Sequence, residues 1–257
     1  MYPTIEFFGH KIPTYGLCMI FGFTIVILLS YFRAKKKYKP IAIEDLIAIA
    51  AIVLGLALAG GYLLYIFVTY PVIELISSGD FSFIFMGGIV FYGGLFGGII
   101  GAFVGLKIFK IAPENLEVCV VPFIPLGHAL GRVGCALAGC CYGMEYYGPG
   151  AIYYPENHPF YVFDPTVGHF PVQFLEAFLD VVITIILLVF LRKQRRKYDT
   201  IFLYLALYSV MRFFTEMLRG DEVRGVYELN ISTSQWISIG LIILCIVRFI
   251  ILKKRKL

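Results

Sequence analysis

The chain has 257 residues, is 60% hydrophobic and only 15% charged, and carries a formal net charge of +5. A soluble domain of this length needs more charge to cover its surface, so composition alone excludes an ordinary water-soluble enzyme. The basic residues cluster at the ends of apolar runs, which is not a nucleic-acid signal, and the six cysteines lie mostly in or beside such runs, unlike a secreted disulfide scaffold.

About twenty apolar residues cross a bilayer as a helix, and a spanning backbone must satisfy its own hydrogen bonds. On that basis the sequence predicts an all-α, polytopic integral membrane protein with seven transmembrane helices in one domain covering 1–257. Glu6, His10 and Lys11 precede the first apolar run without an obvious small-residue cleavage site, so no cleavable signal peptide is expected. The first span covers 15–32 and ends in a basic run. The second lies within 41–70, long enough to tilt. The third lies within 81–111 and is rich in glycine, including Gly93-Gly94 and Gly97-Gly98. The fourth starts near 118 and runs into the stretch 128–143. The fifth covers 172–191, the sixth 201–218 and the seventh 235–252.

Five basic residues fall in 33–39, two at Lys107 and Lys110, five in 192–197 and four in 253–256, together 16 of the 22. Seven crossings put all of them on one face. Basic loops favour the cytoplasm, so the amino terminus is expected outside and the carboxyl terminus inside. The segment 143–170 then reads as a small extracytoplasmic cap over the outer mouth of the bundle, since loops of this length in compact proteins are usually functional.

Four features carry candidate chemistry. Arg132, flanked by Gly131 and Gly134, is an arginine inside an apolar span. Such a residue costs several kcal/mol unless it meets an anion, water or the interface, and its fork matches phosphate; a snorkelling or structurally paired arginine is the plainer alternative. Arg212, Glu216 and Arg219 share one helix face at i, i+4 and i+7, a charged stripe that must face protein or water. Glu176 and Asp180, one turn apart, are expected mainly to neutralise these arginines. The glycine row of the third span suits close helix packing, with an opening for a lipid head group at Tyr92-Gly93-Gly94 as the sharper alternative.

Cys135, Cys140 and Cys141 with His128 lack the CxxC or HxxxH spacing usual in structural zinc sites, so no metal is expected. A disulfide, a nucleophilic thiol and a small buried filler remain open for the cysteines.

Taken together, Tyr15-Gly16-Leu17, Phe91-Tyr92-Gly93-Gly94-Leu95, Gly131-Arg132-Val133-Gly134 with Gly139 and Gly143, Pro171-Val172-Gln173 with Glu176, and Arg212 through Arg219 resemble the bacterial prolipoprotein diacylglyceryl transferase family. The resemblance covers most of the chain. It implies transfer of a diacylglyceryl group from phosphatidylglycerol to the lipobox cysteine of a preprolipoprotein, with release of glycerol 1-phosphate, at the outer leaflet of the bacterial cytoplasmic (inner) membrane. It assigns catalytic roles to Arg132 and Arg212, with Tyr92 at the family's usual histidine position and His128 as the better proton acceptor by chemistry. Tyr15, Gly93, Gly94, Gly131, Gly134, Glu216 and Arg219 are the expected substrate-binding residues; no cofactor and no nucleic acid enter.

Several positions depart from the family pattern. Cys135 and Cys140 replace an asparagine and a glutamate, Ala59 an arginine and Leu175 a tyrosine. The reading Gly-Cys-x3-Gly-Cys-Cys-Tyr-Gly marks a cysteine-rich branch. Alternatives carried from the sequence are a paralogue with another acceptor, including a thiol relay through Cys135, Cys140 or Cys141, and a lipid-binding or transport protein without chemistry.

Overall fold

The fold is described from a computed structural model, which describes residues 3–7, 9–37, 41–69, 90–156, 158, 163–193, 196–221 and 231–254. A hairpin of β1 (Thr4–Phe7) and β2 (His10–Pro13), with Ile5 opposite Ile12, leads straight into α1 (Thr14–Lys37). The Thr14 amide and hydroxyl both donate to the Pro3 carbonyl at 3.1 Å, which fixes where α1 begins. The remaining helices are α2 (Ile43–Thr69), α3 (Phe91–Ile108), α4 (Pro113–Cys119), α5 (Ile124–Ala138), α6 (Val172–Phe190), α7 (Asp199–Glu216) and α8 (Thr233–Lys254), with a 3₁₀ turn at Val121–Phe123 joining α4 to α5.

Among the described residues, five runs are long and apolar enough to cross a membrane: Thr14–Lys36, Ile43–Val68, Pro113–Ala138, Val172–Phe190 and Thr233–Leu252. The chain is therefore a helical, multi-pass membrane protein. The expected third span begins in residues outside the described set; its described part, α3, is a shorter apolar helix. The expected sixth span is α7, 18 residues long, whose apolar character is diluted by Asp199, Arg212 and Glu216.

Helix α6 shows why composition and burial run opposite to a soluble protein. Its buried stripe includes Gln173, Glu176, Asp180 and Thr184, while Phe174, Phe178, Ile185 and Val189 are exposed. An apolar face turned outward and a polar face turned inward is stable only where the surroundings are apolar.

The chain divides into two compact units, Tyr31–Leu116 and the remainder, Met1–Ser30 with Glu117–Leu257. In the first of these, α2 and α3 meet backbone to backbone. A methyl group added at Gly93 would strike the Gly60 carbonyl, one at Gly97 the Leu56 carbonyl, and one at Gly101 would sit 2.8 Å from the Val53 Cα. The glycine row is thus spent on helix contact, the ordinary use of small-residue spacing in membranes.

In the second unit, α1 lies against α5 at matching small positions. A methyl at Gly134 would come within 3.0 Å of the Cys18 Cβ and 3.2 Å of the Tyr15 ring, and one at Gly131 within 3.4 Å of the Met19 sulfur. Ile183, Leu187 and Met211 form an apolar core between α6 and α7. Glu117, 3% exposed, reaches across to the start of α7 and accepts the amides of Tyr198 (2.7 Å) and Thr200 (3.0 Å). A carboxylate at a helix amino terminus satisfies orphan donors and opposes the helix dipole. Arg248 of α8 pairs with Asp199 at 2.7 Å and lies 4.3 Å over the Phe202 ring, holding α8 to the same end of α7.

The segment 143–170 is folded where it is described; residues 157 and 159–162 lie outside that set. Strand β3 (Ile152–Tyr153) pairs antiparallel with β4 (Gly168–His169). Tyr154, 1% exposed, stacks on Phe163 at 4.3 Å, and His169 and Tyr142 meet the pair edge-on. The cap is stapled to the end of α7: the Met144 amide donates to the Leu218 carbonyl (2.9 Å) and the Gly220 amide to the Tyr142 carbonyl (3.0 Å).

Candidate functional site

Three helices aim charged side chains at one point. Glu176 sits on the inward stripe of α6 with 1% of its side chain exposed. One carboxylate oxygen accepts Arg132 Nε of α5 at 2.8 Å; the other accepts Arg212 Nη1 of α7 at 2.7 Å and the Thr215 hydroxyl at 2.8 Å. Arg212 also pairs with Glu216 one turn on and reaches the Ser234 hydroxyl at 3.4 Å. Arg219 Nη1 stands 3.9 Å from Glu216, and its fork binds Asp221 through Nε (2.8 Å) and Nη2 (2.5 Å).

The side chains of Arg132, Arg212 and Arg219 remain 20%, 10% and 11% exposed. Arg132 meets Glu176 through Nε. Three guanidinium groups face Glu176, Glu216 and Asp221, so formal charges in the cluster cancel. A phosphate brought to such a charge-balanced cluster would meet directed N–H donors rather than bulk positive charge. Asp180, one turn along α6 and 1% exposed, has a carboxylate oxygen without a hydrogen-bond partner.

The end of α5 is shaped by its sequence. Gly139 caps the helix in the left-handed conformation (φ 74°) with its amide on the Cys135 carbonyl, a frequent helix end that glycine adopts without strain. Cys140 follows with its amide on the same carbonyl at 3.1 Å. Gln173 of α6, fully buried, donates to the Cys140 carbonyl at 3.0 Å and to the Tyr154 hydroxyl at 3.1 Å. Burial pushes the Tyr154 phenol up to about 12, more than the Gln173 hydrogen bond lowers it, so it stays protonated.

Among the residues singled out from sequence, Arg132, Glu176, Arg212, Glu216 and Arg219 converge in one network. Tyr15 lies against Gly134 and within electrostatic reach of Arg132 and the three cysteines. His128 is exposed one turn before Arg132 on α5, its ring 5.3 Å from that of Tyr208. Tyr92, Gly93 and Gly94 belong to the other unit, on α3, where Gly93 is committed to contact with α2. The sulfurs of Cys135, Cys140 and Cys141 all lie within 4.8 Å of one another, which their spacing gave no reason to expect.

No role was assigned from sequence to Thr215, Ser234, Asp221 or Gln173, although Thr215 and Gln173 lie in stretches that carry the family resemblance. Thr215 was accessible to helical periodicity, three residues after Arg212 on the same helix face; the contacts of Ser234 and Gln173 span long sequence separations.

Thr215 also lines an apolar groove of about 360 Å³ between α6 and α7, with Leu179, Ile183, Leu207, Met211 and Phe214 among its walls. A second apolar groove, about 460 Å³, runs beside α1 and α5 past Leu17, Phe21 and Leu130. An ionic cluster that adjoins an apolar groove fits an amphiphile with a phosphate head.

Comparison with known proteins agrees with this chemistry. A family model described as Prolipoprotein diacylglyceryl transferase matches residues 3–251. Phosphatidylglycerol--prolipoprotein diacylglyceryl transferase 2 of Clostridium perfringens (strain 13 / Type A) is 35% identical over 244 residues, covering 93% of this chain and 90% of its own. The phosphatidylglycerol--prolipoprotein diacylglyceryl transferase of Clostridium tetani (strain Massachusetts / E88) is 34% identical over 253 residues, covering 98% and 97%. The Clostridioides difficile (strain 630) protein of the same description is 30% identical over 216 residues, covering 84% and 82%. The match spans every element that builds the ionic cluster, and the chain belongs to the prolipoprotein diacylglyceryl transferase family.

Proposed function

We propose that the ionic cluster is where a diacylglyceryl group passes from phosphatidylglycerol to the cysteine thiol of a prolipoprotein. The chain is a transferase of lipoprotein biosynthesis that uses these two substrates, as its curated relatives are named. The observation that carries the site assignment is the sharing of buried Glu176 by Arg132 and Arg212, which holds two guanidinium groups at one place beside an apolar groove.

In this reading the lipid phosphate meets N–H donors of Arg132 and Arg212, drawn from their carboxylate partners as it arrives, and an acyl chain lies in the groove between α6 and α7. The thiolate sulfur attacks the glyceryl carbon that carries the phosphate. A C–S bond forms, the C–O bond breaks, and the electron pair leaves with glycerol 1-phosphate. The phosphate goes from one negative charge to two, and donors already aimed at that point stabilise the gain. The thiol must first lose its proton, because a reference value near 8.5 leaves it mostly protonated at neutral pH. His128 has an imidazole nitrogen that can accept it, and shares the α5 face with Arg132 at i, i+4.

The membrane arrangement belongs to the same proposal. Seven spans are formed by α1, α2, α3 with the residues before it, α4 together with α5, α6, α7 and α8. The amino terminus lies outside, and the basic groups at 33–39, 107–110, 192–197 and 253–256 face the cytoplasm of a bacterial inner membrane. The ionic cluster and the cap then lie toward the outer leaflet.

The test is purified protein incubated with phosphatidylglycerol labelled in its head-group glycerol and a lipobox-cysteine peptide. Equimolar glycerol 1-phosphate and thioether-linked peptide are expected. Lipid binding without release of glycerol phosphate would replace this reading with a carrier function.

A further inference from the structure

We propose that Cys135, Cys140 and Cys141 form a three-sulfur binding site for a soft metal ion, with copper(I) the best match. The three sulfurs all lie within 4.8 Å of one another. A metal–sulfur bond of about 2.3 Å sets sulfurs about 3.8–4.0 Å apart around one ion, so closure needs only side-chain adjustment.

The backbone builds this arrangement against its ordinary tendency. Neighbouring side chains diverge in both helices and strands, yet Cys140 and Cys141 turn their sulfurs to a common point. Two left-handed residues make the turn, Gly139 at φ 74° and Cys141 at φ 56°. The second is not a glycine, and a cysteine there carries a local strain of order 1 kcal/mol or more. The turn is pinned on both sides. Gln173 holds the Cys140 carbonyl at 3.0 Å, and the Gly220 amide holds the Tyr142 carbonyl at 3.0 Å. A ligand set fixed this way is already organised before an ion arrives.

Ligand chemistry selects the ion. Sulfur-only sites favour copper(I) and zinc over magnesium, calcium or manganese. Zinc in structural sites takes four ligands, and among the described residues no histidine or carboxylate ligand atom joins the three sulfurs. The guanidinium groups of Arg132 and Arg219 act on Cys141 as nearby positive charges, which offsets the negative charge of a metal–thiolate centre. A thiol relay explains the cluster less well. A diacylglyceryl group placed on one of these sulfurs would be a thioether, and a second displacement would have to break the stable C–S bond just made.

The test is anaerobic titration of the reduced, purified full chain with copper(I) held by the chromophoric chelator bicinchoninate. Wild type is expected to take one equivalent. The variant C18S/C119S/C245S, which removes the other cysteines, should take one as well, while C135S/C140S/C141S takes none at the same chelator concentration. Absorption spectroscopy at the copper edge should show a sulfur-only shell. One equivalent retained by C135S/C140S/C141S, or none taken by reduced wild type, overturns the proposal. If the triple variant does not fold, the singles C140S and C141S replace it. Each should weaken copper(I) binding at least tenfold, and unchanged affinity in both overturns the proposal. The readout does not involve diacylglyceryl transfer, so it stands apart from the reading of the ionic cluster.

Discussion

Glu176→Gln isolates what the shared carboxylate does for the fold. Glutamine keeps the shape and one oxygen, which still accepts Arg212 Nη1 and the Thr215 hydroxyl, now at 2.7 and 2.8 Å. Its amide, however, sets a donor against Arg132 Nε where an oxygen now lies at 2.8 Å. Removing one partner of a buried ion pair costs about 3–5 kcal/mol, because the other charge stays behind. Arg132 is 20% exposed and partly screened, so the lower end, about 3 kcal/mol, is expected. For a chain of this size that corresponds to a fall in Tm of roughly 6–12 °C, read by intrinsic fluorescence of detergent-purified protein. Replacing both partners of a buried pair is far less damaging than replacing one, so Arg132→Met with Glu176→Gln should recover at least half of the lost Tm. That double variant should nevertheless remain inactive in transfer, since the phosphate-binding fork is gone. A Tm for Glu176→Gln within about 2 °C of wild type, or a double variant whose loss equals the sum of the singles, would refute the shared-anchor reasoning.

Three further outcomes test other elements. Gly97→Ala places a methyl against the Leu56 carbonyl and should cost about 3 kcal/mol or more in Tm measurements, whereas Gly98→Ala, with its nearest neighbour at 3.7 Å, should be close to neutral. Glu117→Ala strips the start of α7 of its two side-chain acceptors and should cost about 1–2 kcal/mol, with faster hydrogen exchange at the Thr200 amide as the local signature. Burial in the cap lowers the pKa of His158, so the folded cap favours the neutral ring and the unfolded state takes the proton first. Its contribution to stability is therefore complete above the ordinary histidine value near 6.5 and is lost as pH falls below it. Exchange at Gly139, where a methyl would meet the His158 ring, should accelerate on acidification in wild type and stay flat in His158→Gln after correction for intrinsic rates.

What the sequence disclosed was what lies within one helix. Apolar runs located α1, α2, α6 and α8 closely, because each must bury its own backbone hydrogen bonds whatever its neighbours do. The Arg212–Glu216 pair was legible for the same reason, as it depends only on helical periodicity, but the expected shared face does not extend to Arg219, which lies past the end of α7 in a bridge with Gly143. The glycines of α3 were readable as a packing row, though not as meeting Gly60 and Leu56. Glu176 was expected to neutralise the arginines and does, but the geometry of contacts set by tertiary structure was out of reach. Nothing local tells that one carboxylate bridges Arg132 and Arg212 at once, or that Glu117 caps a helix 81 residues further on. The cysteines show the limit most clearly. Spacing rules assume regular backbone between ligands, and the left-handed Cys141 breaks that assumption.

The central claim is that Arg132 and Arg212 together stabilise the departing phosphate. It is tested most directly by the initial rate of glycerol 1-phosphate release from Arg132→Ala and Arg212→Ala proteins that insert and purify like wild type. Losing a preorganised donor at a developing charge typically costs a factor of about 10²–10³, and each variant is expected to fall at least that far. Release within about threefold of wild type from either variant would contradict the account.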